Sequence, residues 1–322
     1  MQKSFILVLM TATLLAGLSC GAAFADYPER PLRAIVPFST GGPNDTLARL
    51  ISPMLAKALG QNVIIENRPG ADGRIGIEAL AKAAPDGYTI LFSGGAMALI
   101  PALRRTVPYD PIRDIQPVSE LGTSPYVIVV HPQVPAKNVA QLIELAKKNP
   151  GKLNGSSGGN STFMSLVLFQ IKTGTRIVNI PYKGAGDAGL AVVRGEADMA
   201  IMDSAAFGHY LQSGRLRLLA VAADKRSPAF PDLPTTKEAG LPDYTASSLF
   251  GVFTTGKTPP DIVRKLNMEI NKNVASPEIS KRLIALGMEP SQKSVQEFTR
   301  QYLAELAKWK DVVARAKIPL EN

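Results

Sequence analysis

The sequence predicts an α/β fold in two domains, and three observations carry that prediction. Short Val- and Ile-rich runs alternate with helix-length segments over most of the chain, the pattern of strands laid parallel through helical crossovers. Two turns rich in glycine and hydroxyl groups, each between a strand-like run and a helical one, lie in the two halves. Two proline-rich stretches, Tyr109–Pro117 and Phe230–Pro242, are each followed by an extended run, Leu121–Val130 and Thr245–Thr254. Two crossings make the first domain discontinuous, residues 26–124 with 246–322, around a second domain at 125–245. Paired crossing strands can absorb the small dihedral changes of a hinge. A length of 322 residues suits two ordinary domains, and 45% hydrophobic with 20% charged residues suits a soluble globular protein.

The N-terminus reads as a leader. Lys3 is followed by the apolar stretch Phe5–Leu18 and by Ala23-Phe24-Ala25, a small-x-small cleavage signal. The apolar stretch is shorter than the roughly 20 residues that span a bilayer. Cleavage after Ala25 is expected, with Asp26 as the first mature residue. Cys20, the one cysteine, lies inside the leader. The competing reading makes it a lipidated first residue, although Gly17-Leu18-Ser19 lacks the large aliphatic residue expected three positions upstream. A cut after Ala25 leaves a mature chain without thiol or disulfide chemistry.

Taken in order, the strand candidates are Leu32–Phe38, Val63–Asn67, Tyr88–Ser93, Tyr126–His131, Arg176–Tyr182, Asp198–Asp203, Leu216–Ala222 and Leu249–Thr254. A helix follows the first turn over Leu47–Leu59, and Pro53 within it should kink it or shift its register. From Pro259 onward the chain turns helical. Pro259–Val274 is one helix, Ser276-Pro277-Glu278 caps the next, and Ser294 with Glu297 forms a capping box. That box opens a long amphipathic helix carrying Phe298, Tyr302, Leu306 and Trp309.

The two turns carry the chemistry. The first is Phe38-Ser39-Thr40-Gly41-Gly42-Pro43-Asn44-Asp45; the second runs from Gly155 through Ser156, Ser157, Gly158, Gly159, Asn160 and Ser161 to Thr162. A helix start leaves backbone N–H groups unpaired and carries a partial positive charge, so it can hold an anion. Glycines admit a ligand close to the backbone, and Ser, Thr and Asn add short polar groups. Two such turns in two halves suggest a clamp on a small anion, although α/β proteins also use such turns as plain structure. The formal charge of +9 favours anionic partners. Nucleic acid is not expected, because the basic residues are scattered and aromatics make up only 6%.

Three enzyme-like patterns compete. Gly184-Ala185-Gly186-Asp187-Ala188-Gly189 matches a dinucleotide fingerprint, with Asp203 further on, but lies mid-domain behind an export signal. Gly155-Ser156-Ser157-Gly158-Gly159 matches a nucleophile elbow with Asp203 and His209 following, which would make Ser157 the nucleophile of an exported α/β serine hydrolase. Against it, Asp203 and His209 are too close in sequence, and Gly151–Asn154 is a poor strand. Metal binding is not expected: the histidines are His131 and His209, far apart, and His131 reads as a loop residue. The Gly70-Ala71-Asp72-Gly73 turn lacks the lysine and hydroxyl of a nucleotide phosphate loop.

Longer stretches resemble one family. They are Tyr27-Pro28-Glu29-Arg30-Pro31-Leu32-Arg33, Val36-Pro37-Phe38 with Gly41-Gly42 and Asp45, Glu66-Asn67-Arg68-Pro69-Gly70-Ala71, and Ala83-Ala84-Pro85-Asp86-Gly87-Tyr88. Pro108-Tyr109-Asp110-Pro111, Pro181-Tyr182-Lys183-Gly184, Met202-Asp203-Ser204, Lys225-Arg226-Ser227-Pro228 and Glu238-Ala239-Gly240-Leu241-Pro242 continue the series. In order and over nearly the whole mature chain, this resembles the Bug (Bordetella uptake gene) proteins, extracytoplasmic solute-binding receptors of tripartite tricarboxylate transporters. The resemblance implies a two-domain, type II-like Venus-flytrap periplasmic binding protein, hinged by crossing strands and closing on a small carboxylate.

By position, the resemblance implies ligand contacts at Phe38, Ser39, Thr40, Gly41, Gly42, Asn44 and Asp45, and at Ser156, Ser157, Gly158, Asn160, Ser161 and Thr162. Ser93 and Gly94 fall in a third loop at the cleft, and Tyr182, Asp203 and Leu249 complete the set. Asp203 has two readings, a ligand contact or a cap on the helix from Ser204. Leu249 departs from the family, where an aromatic residue is common, and Phe163-Met164-Ser165 stands where many relatives have a histidine. The implied partners are a small organic acid (a mono- or dicarboxylate, an amino acid or an aromatic acid) and integral membrane transporter subunits. No cofactor and no catalysis are implied, and a periplasmic monomer is expected.

Overall fold

The computed structural model describes residues 27–204, 210 and 213–321. The expected leader with Cys20 and Ala25, and His209, lie outside the described residues. The elements run β1 (Leu32–Val36), α1 (Pro43–Leu59), β2 (Val63–Asn67), α2 (Arg74–Ala81), β3 (Thr89–Gly94), α3 (Ala96–Leu103), β4 (Ile115–Val130) and α4 (Val139–Lys148). Then come β5 (Asn154–Ser157), α5 (Asn160–Thr173), β6 (Val178–Pro181), α6 (Ala185–Arg194), β7 (Met199–Asp203), β8 (Arg217–Val221) and β9 (Ser247–Thr255). The chain closes with α7 (Pro260–Ala275), α8 (Pro277–Ala285), β10 (Glu289–Pro290) and α9 (Val295–Ala316).

The strands form one curled sheet in the order β2-β1-β3-β9-β4-β7-β5-β6, with β8 and β10 also paired to β4. The parallel reading holds for β2-β1-β3 at one end and for β7-β5-β6 at the other. Between them, β9 and β4 are antiparallel to their neighbours, so the sheet is mixed. β4 makes the join. Its residues 115–125 pair with β9, and its residues 126–130 pair with β7 and β8. Tyr126–His131 is therefore the end of a strand that starts at Ile115, inside the proline-rich stretch. The sheet tolerates Pro117, which has no N–H to donate, because the register shifts there by a bulge.

β5 is the largest departure from expectation. Strand propensity favours apolar and β-branched residues, yet Asn154–Ser157 is a parallel strand that takes in the first three residues of the second turn. Tertiary pairing with β6 and β7 overrides its poor propensity, and Gly155 leaves room for Leu166 of α5, which would sit 2.8 Å from an added Cβ. α1 runs through Pro53 as a single element with the proline on its solvent side. The caps read from sequence form as expected: Ser276 accepts from Ile279 N–H, and Ser294 and Glu297 close a complete capping box. α9 then lays its apolar face, including Phe298, Tyr302, Leu306 and Trp309, against α3, β4 and α5. Phe298 and Tyr302 pack on Phe253 of β9, at centroid distances of 5.3 and 5.7 Å. The C-terminal helix thus braces the crossing strands from behind.

Candidate functional site

A cleft of about 480 Å³ opens where the two parallel ends of the sheet face each other across β4 and β9. Four helices begin at its wall: α1 after Gly42, α3 after Gly95, α5 after Gly159 and α6 after Gly184. None of the four starts has a side-chain capping bond. The first-turn N–H groups at these starts, absent only at Pro43 of α1, therefore lack side-chain caps, and the positive ends of four helix dipoles lie at the wall of the cleft.

The first turn is shaped from below by Asp45. Its buried carboxylate accepts from Gly41 N–H (2.8 Å), Arg49 Nε (2.9 Å) and Asn67 Nδ2 (2.9 Å), while Asn67 also donates to the Phe38 carbonyl (3.1 Å). These donors, Arg49 first, hold the Asp45 carboxyl down to about 2, below the usual carboxylate range. Phe38, Ser39, Thr40, Gly42 and Asn44 line the cleft; Gly41 and Asp45 do not. Asp45 is a brace for the turn: it is buried off the lining and holds three donors of the protein.

In the second turn Gly158, Asn160, Ser161 and Thr162 line the cleft, together with Gly159. Thr162 Oγ1 accepts from Gly158 N–H (2.9 Å) and donates to the Gly159 carbonyl (3.0 Å), folding the turn onto the start of α5. A Cβ on Gly158 would lie 2.5 Å from the Gly184 carbonyl, so this glycine is what brings α6, and Ala185, up to the cleft. Ser156 and Ser157 sit behind the turn: both are 2% exposed on β5 and neither lines the cleft. Ser156 Oγ donates to the Ala188 carbonyl at 2.9 Å.

The third loop contributes Gly94 and Gly95, and Ala96, Leu99 and Ile100 of α3 extend it as an apolar wall. Ser93, 1% exposed, lies beneath the loop and off the lining. On β9, Ser248 and Phe250 line the cleft, while Leu249 between them lines a small adjoining pocket with Tyr302 and Trp309 that shares Gly94, Gly95, Tyr126 and Ser248 with the cleft. Tyr182 is also off the lining. It follows edge strand β6, donates its N–H to the Ser157 carbonyl and packs on the core behind, away from the lining.

The floor comes from the crossing region. Tyr126 of β4 meets Ser248 of β9 through their hydroxyls at 3.0 Å. Burial, and then the charge of Asp203, push the Tyr126 phenol above its ordinary range, so it stays a neutral hydroxyl. Asp203 lines the cleft at the end of β7, and Ser124 Oγ donates to its Oδ1 at 2.6 Å. Ser124 also meets Ser204 Oγ (2.9 Å), which donates to the Gly287 carbonyl (2.7 Å). Asp203 is thus both a cleft residue and part of the network across the crossing. Among the described lining residues the charged ones are Asp72 and Asp203, with no Lys, Arg or His. The basic excess of the chain lies elsewhere, and the donors in the cleft are backbone amides, hydroxyls and amide side chains.

The rival chemistries find little geometry. Ser157 is not among the residues with positive φ, so the strained, exposed turn of a nucleophile elbow does not form. The Gly184–Gly189 fingerprint follows an edge strand, whereas a dinucleotide fold places it on a central one. His131 Nδ1 accepts from Gln133 N–H (3.3 Å) in a loop, and no cluster of metal-ligating side chains occurs among the described residues.

Sequence reasoning passed over Asp72, Tyr126, Ser248, Phe250 and Ala185. Period-two alternation around Leu249 pointed to its neighbours; nothing local to Asp72 or Ala185 signalled that their loops reach the cleft.

Comparison with known proteins agrees with the geometry. Residues 47–318 match the model of the TctC family, described as the tripartite tricarboxylate transporter family receptor. BugT of Bordetella pertussis is 36% identical over 303 residues, covering 92% of this chain and 93% of the relative. A protein of R. palustris solved with adipate is 34% identical with a TM-score of 0.80, over 92% of this chain and 100% of that one. MatC of Rhodopseudomonas palustris, solved with bound malate, is 32% identical with a TM-score of 0.74, over 89% of this chain and 100% of that one.

Proposed function

Since this chain belongs to the TctC family of tripartite tricarboxylate transporter receptors, with their α/β periplasmic-binding-protein fold, we propose that it captures a small organic acid in the cleft over β4 and β9, between the two parallel ends of the sheet. The observation that carries this reading is the convergence of four helix starts, free of side-chain caps, on one cleft. A carboxylate placed there gains charge-assisted bonds from backbone N–H groups and the field of the helix ends. The first turn, Ser39–Asn44, takes one polar end of the ligand, and the second, Gly158–Thr162, faces it from the other side. Phe38, Leu99, Ile100 and Phe250 cover the apolar body. Adipate and malate in two relatives support this class of ligand.

The two lobes are residues 26–124 with 246–322, and residues 125–245. Closure occurs by small rotations where β4 changes partners, between Ser124 and Tyr126, and where β9 begins. Ligand contacts made by both lobes at once favour the closed form, which is how binding drives the change. The protein acts without chemical turnover, as a monomer exported by the leader and cut after Ala25, and it presents the closed complex to the membrane subunits of a transporter.

Isothermal titration of the purified mature protein against adipate, malate, aromatic acids and amino acids tests the reading. Saturable one-to-one binding of a carboxylate, with a melting temperature that rises with ligand concentration, is the expected result. Binding confined to uncharged solutes refutes it.

A further inference from the structure

We propose that Asp72 retains the ligand, by fastening the mouth of the cleft to Asn160 and so setting how fast a bound acid leaves. This rests on the reading of the cleft as a carboxylate site. Asp72 lies in the loop between β2 and α2, and Asn160 opens α5 on the far side of the crossing strands. Asn160 Nδ2 donates to Asp72 Oδ2 at 3.2 Å, and both residues line the cleft. The bond therefore joins the two walls of the mouth. A cleft that opens must break it, and one that closes remakes it.

The backbone at Asp72 points the same way. Asp72 has φ +56° and Ala71 φ +48°, between Gly70 at +124° and Gly73 at +102°. Left-handed backbone is strained for residues with a Cβ and free of that cost for glycine. A glycine at 72 would hold this loop more easily. What aspartate adds is a carboxylate, and its one hydrogen bond among the described residues is the bond across the cleft. The loop has a fixed base: a Cβ on Gly73 would lie 3.1 Å from the Phe38 ring, so Asp72 stands on the first turn. Asn160 in turn belongs to the start of α5, so the bond draws the donors of the second turn towards those of the first.

Three variants separate this role from a structural one: Asp72→Gly, Asp72→Asn and Asn160→Ala. Adipate is the probe, and its release is followed by stopped flow through Trp309, the one tryptophan. Nitroxide labels at Lys57→Cys and Lys148→Cys, on α1 and α4, report the spread of the lobes without ligand. Asp72→Gly is expected to melt no lower than the parent yet release adipate about threefold to tenfold faster, the range that one hydrogen bond supplies. Its label distances should lengthen. Asn160→Ala should do the same, whereas Asp72→Asn, whose amide oxygen accepts the same bond and which tolerates left-handed backbone, should keep the label distances of the parent, its release rate also carrying the loss of one negative charge beside a dianion. Unchanged release and distances in Asp72→Gly overturn the proposal. If adipate fails to bind the parent protein, the distances decide alone: lengthening upholds the latch while the carboxylate reading fails, and no change removes the latch.

Discussion

Replacing Asp45 by asparagine should destabilise the protein by about 2 kcal/mol at neutral pH and weaken ligand binding without touching the cleft lining. Asp45 is 1% exposed and accepts from Gly41, Arg49 and Asn67, and these donors lower its carboxyl from 3.8 to about 2. At ~1.4 kcal/mol per unit, the ionised carboxylate favours the folded state by about 2 kcal/mol, an upper figure because Arg49 is half exposed and solvent screens its charge. The folded-state value lies below the unfolded one, so the contribution is present above the unfolded value and lost as pH falls through the folded one. It should be full above about pH 5, roughly halved near pH 3 and nearly gone by about pH 2. Asparagine mimics the protonated form. Urea unfolding of parent and Asp45→Asn at several pH values between about 7 and 2.5 measures the difference directly. Equal stabilities at neutral pH, or a gap that does not narrow on acidification, refute the bracing role and return Asp45 to the candidates for ligand contact.

The two turns should respond differently to an added side chain. Gly42 has φ −75°, and an added Cβ would meet only the Ser39 carbonyl, at 3.5 Å, so Gly42→Val should fold normally and lose more than about tenfold in adipate affinity by calorimetry. Gly158→Ala meets the Gly184 carbonyl at 2.5 Å and should cost about 1–3 kcal/mol of stability in denaturant melts, so it reports on packing of α6 rather than on binding. Tyr126→Phe removes a neutral hydroxyl from the cleft floor, and titration should show a loss of about 0.5–1.5 kcal/mol in ligand binding. Phe298→Ala empties the contact between α9 and β9 and should lower stability by about 3–5 kcal/mol in the same melts.

Local pattern determined a good deal by itself. Apolar runs placed β1, β2, β3, β7, β8 and β9 to within a few residues, and capping chemistry placed α8 and α9, because caps and periodicity act over a single turn or a few strand positions. The glycine- and hydroxyl-rich turns named two of the four helix starts at the cleft. Tertiary structure decided the remainder. Asn154–Ser157 is a strand only because β6 and β7 pair with it from either side. Ser248 and Phe250 line the cleft and Leu249 a side pocket next to it, because only the assembled sheet says which residues of β9 turn to the open space. Asp45 at the start of α1, Ser93 near the end of β3, and Ser156 and Ser157 on β5 lie next to the cleft yet are buried, with the protein's own groups or its core around them. Asp72 and Asn160 are 88 positions apart, and nothing local in either stretch specifies that their side chains meet. Spacing along the chain tells which groups a turn carries; the packing of one element on another tells which of them face the ligand.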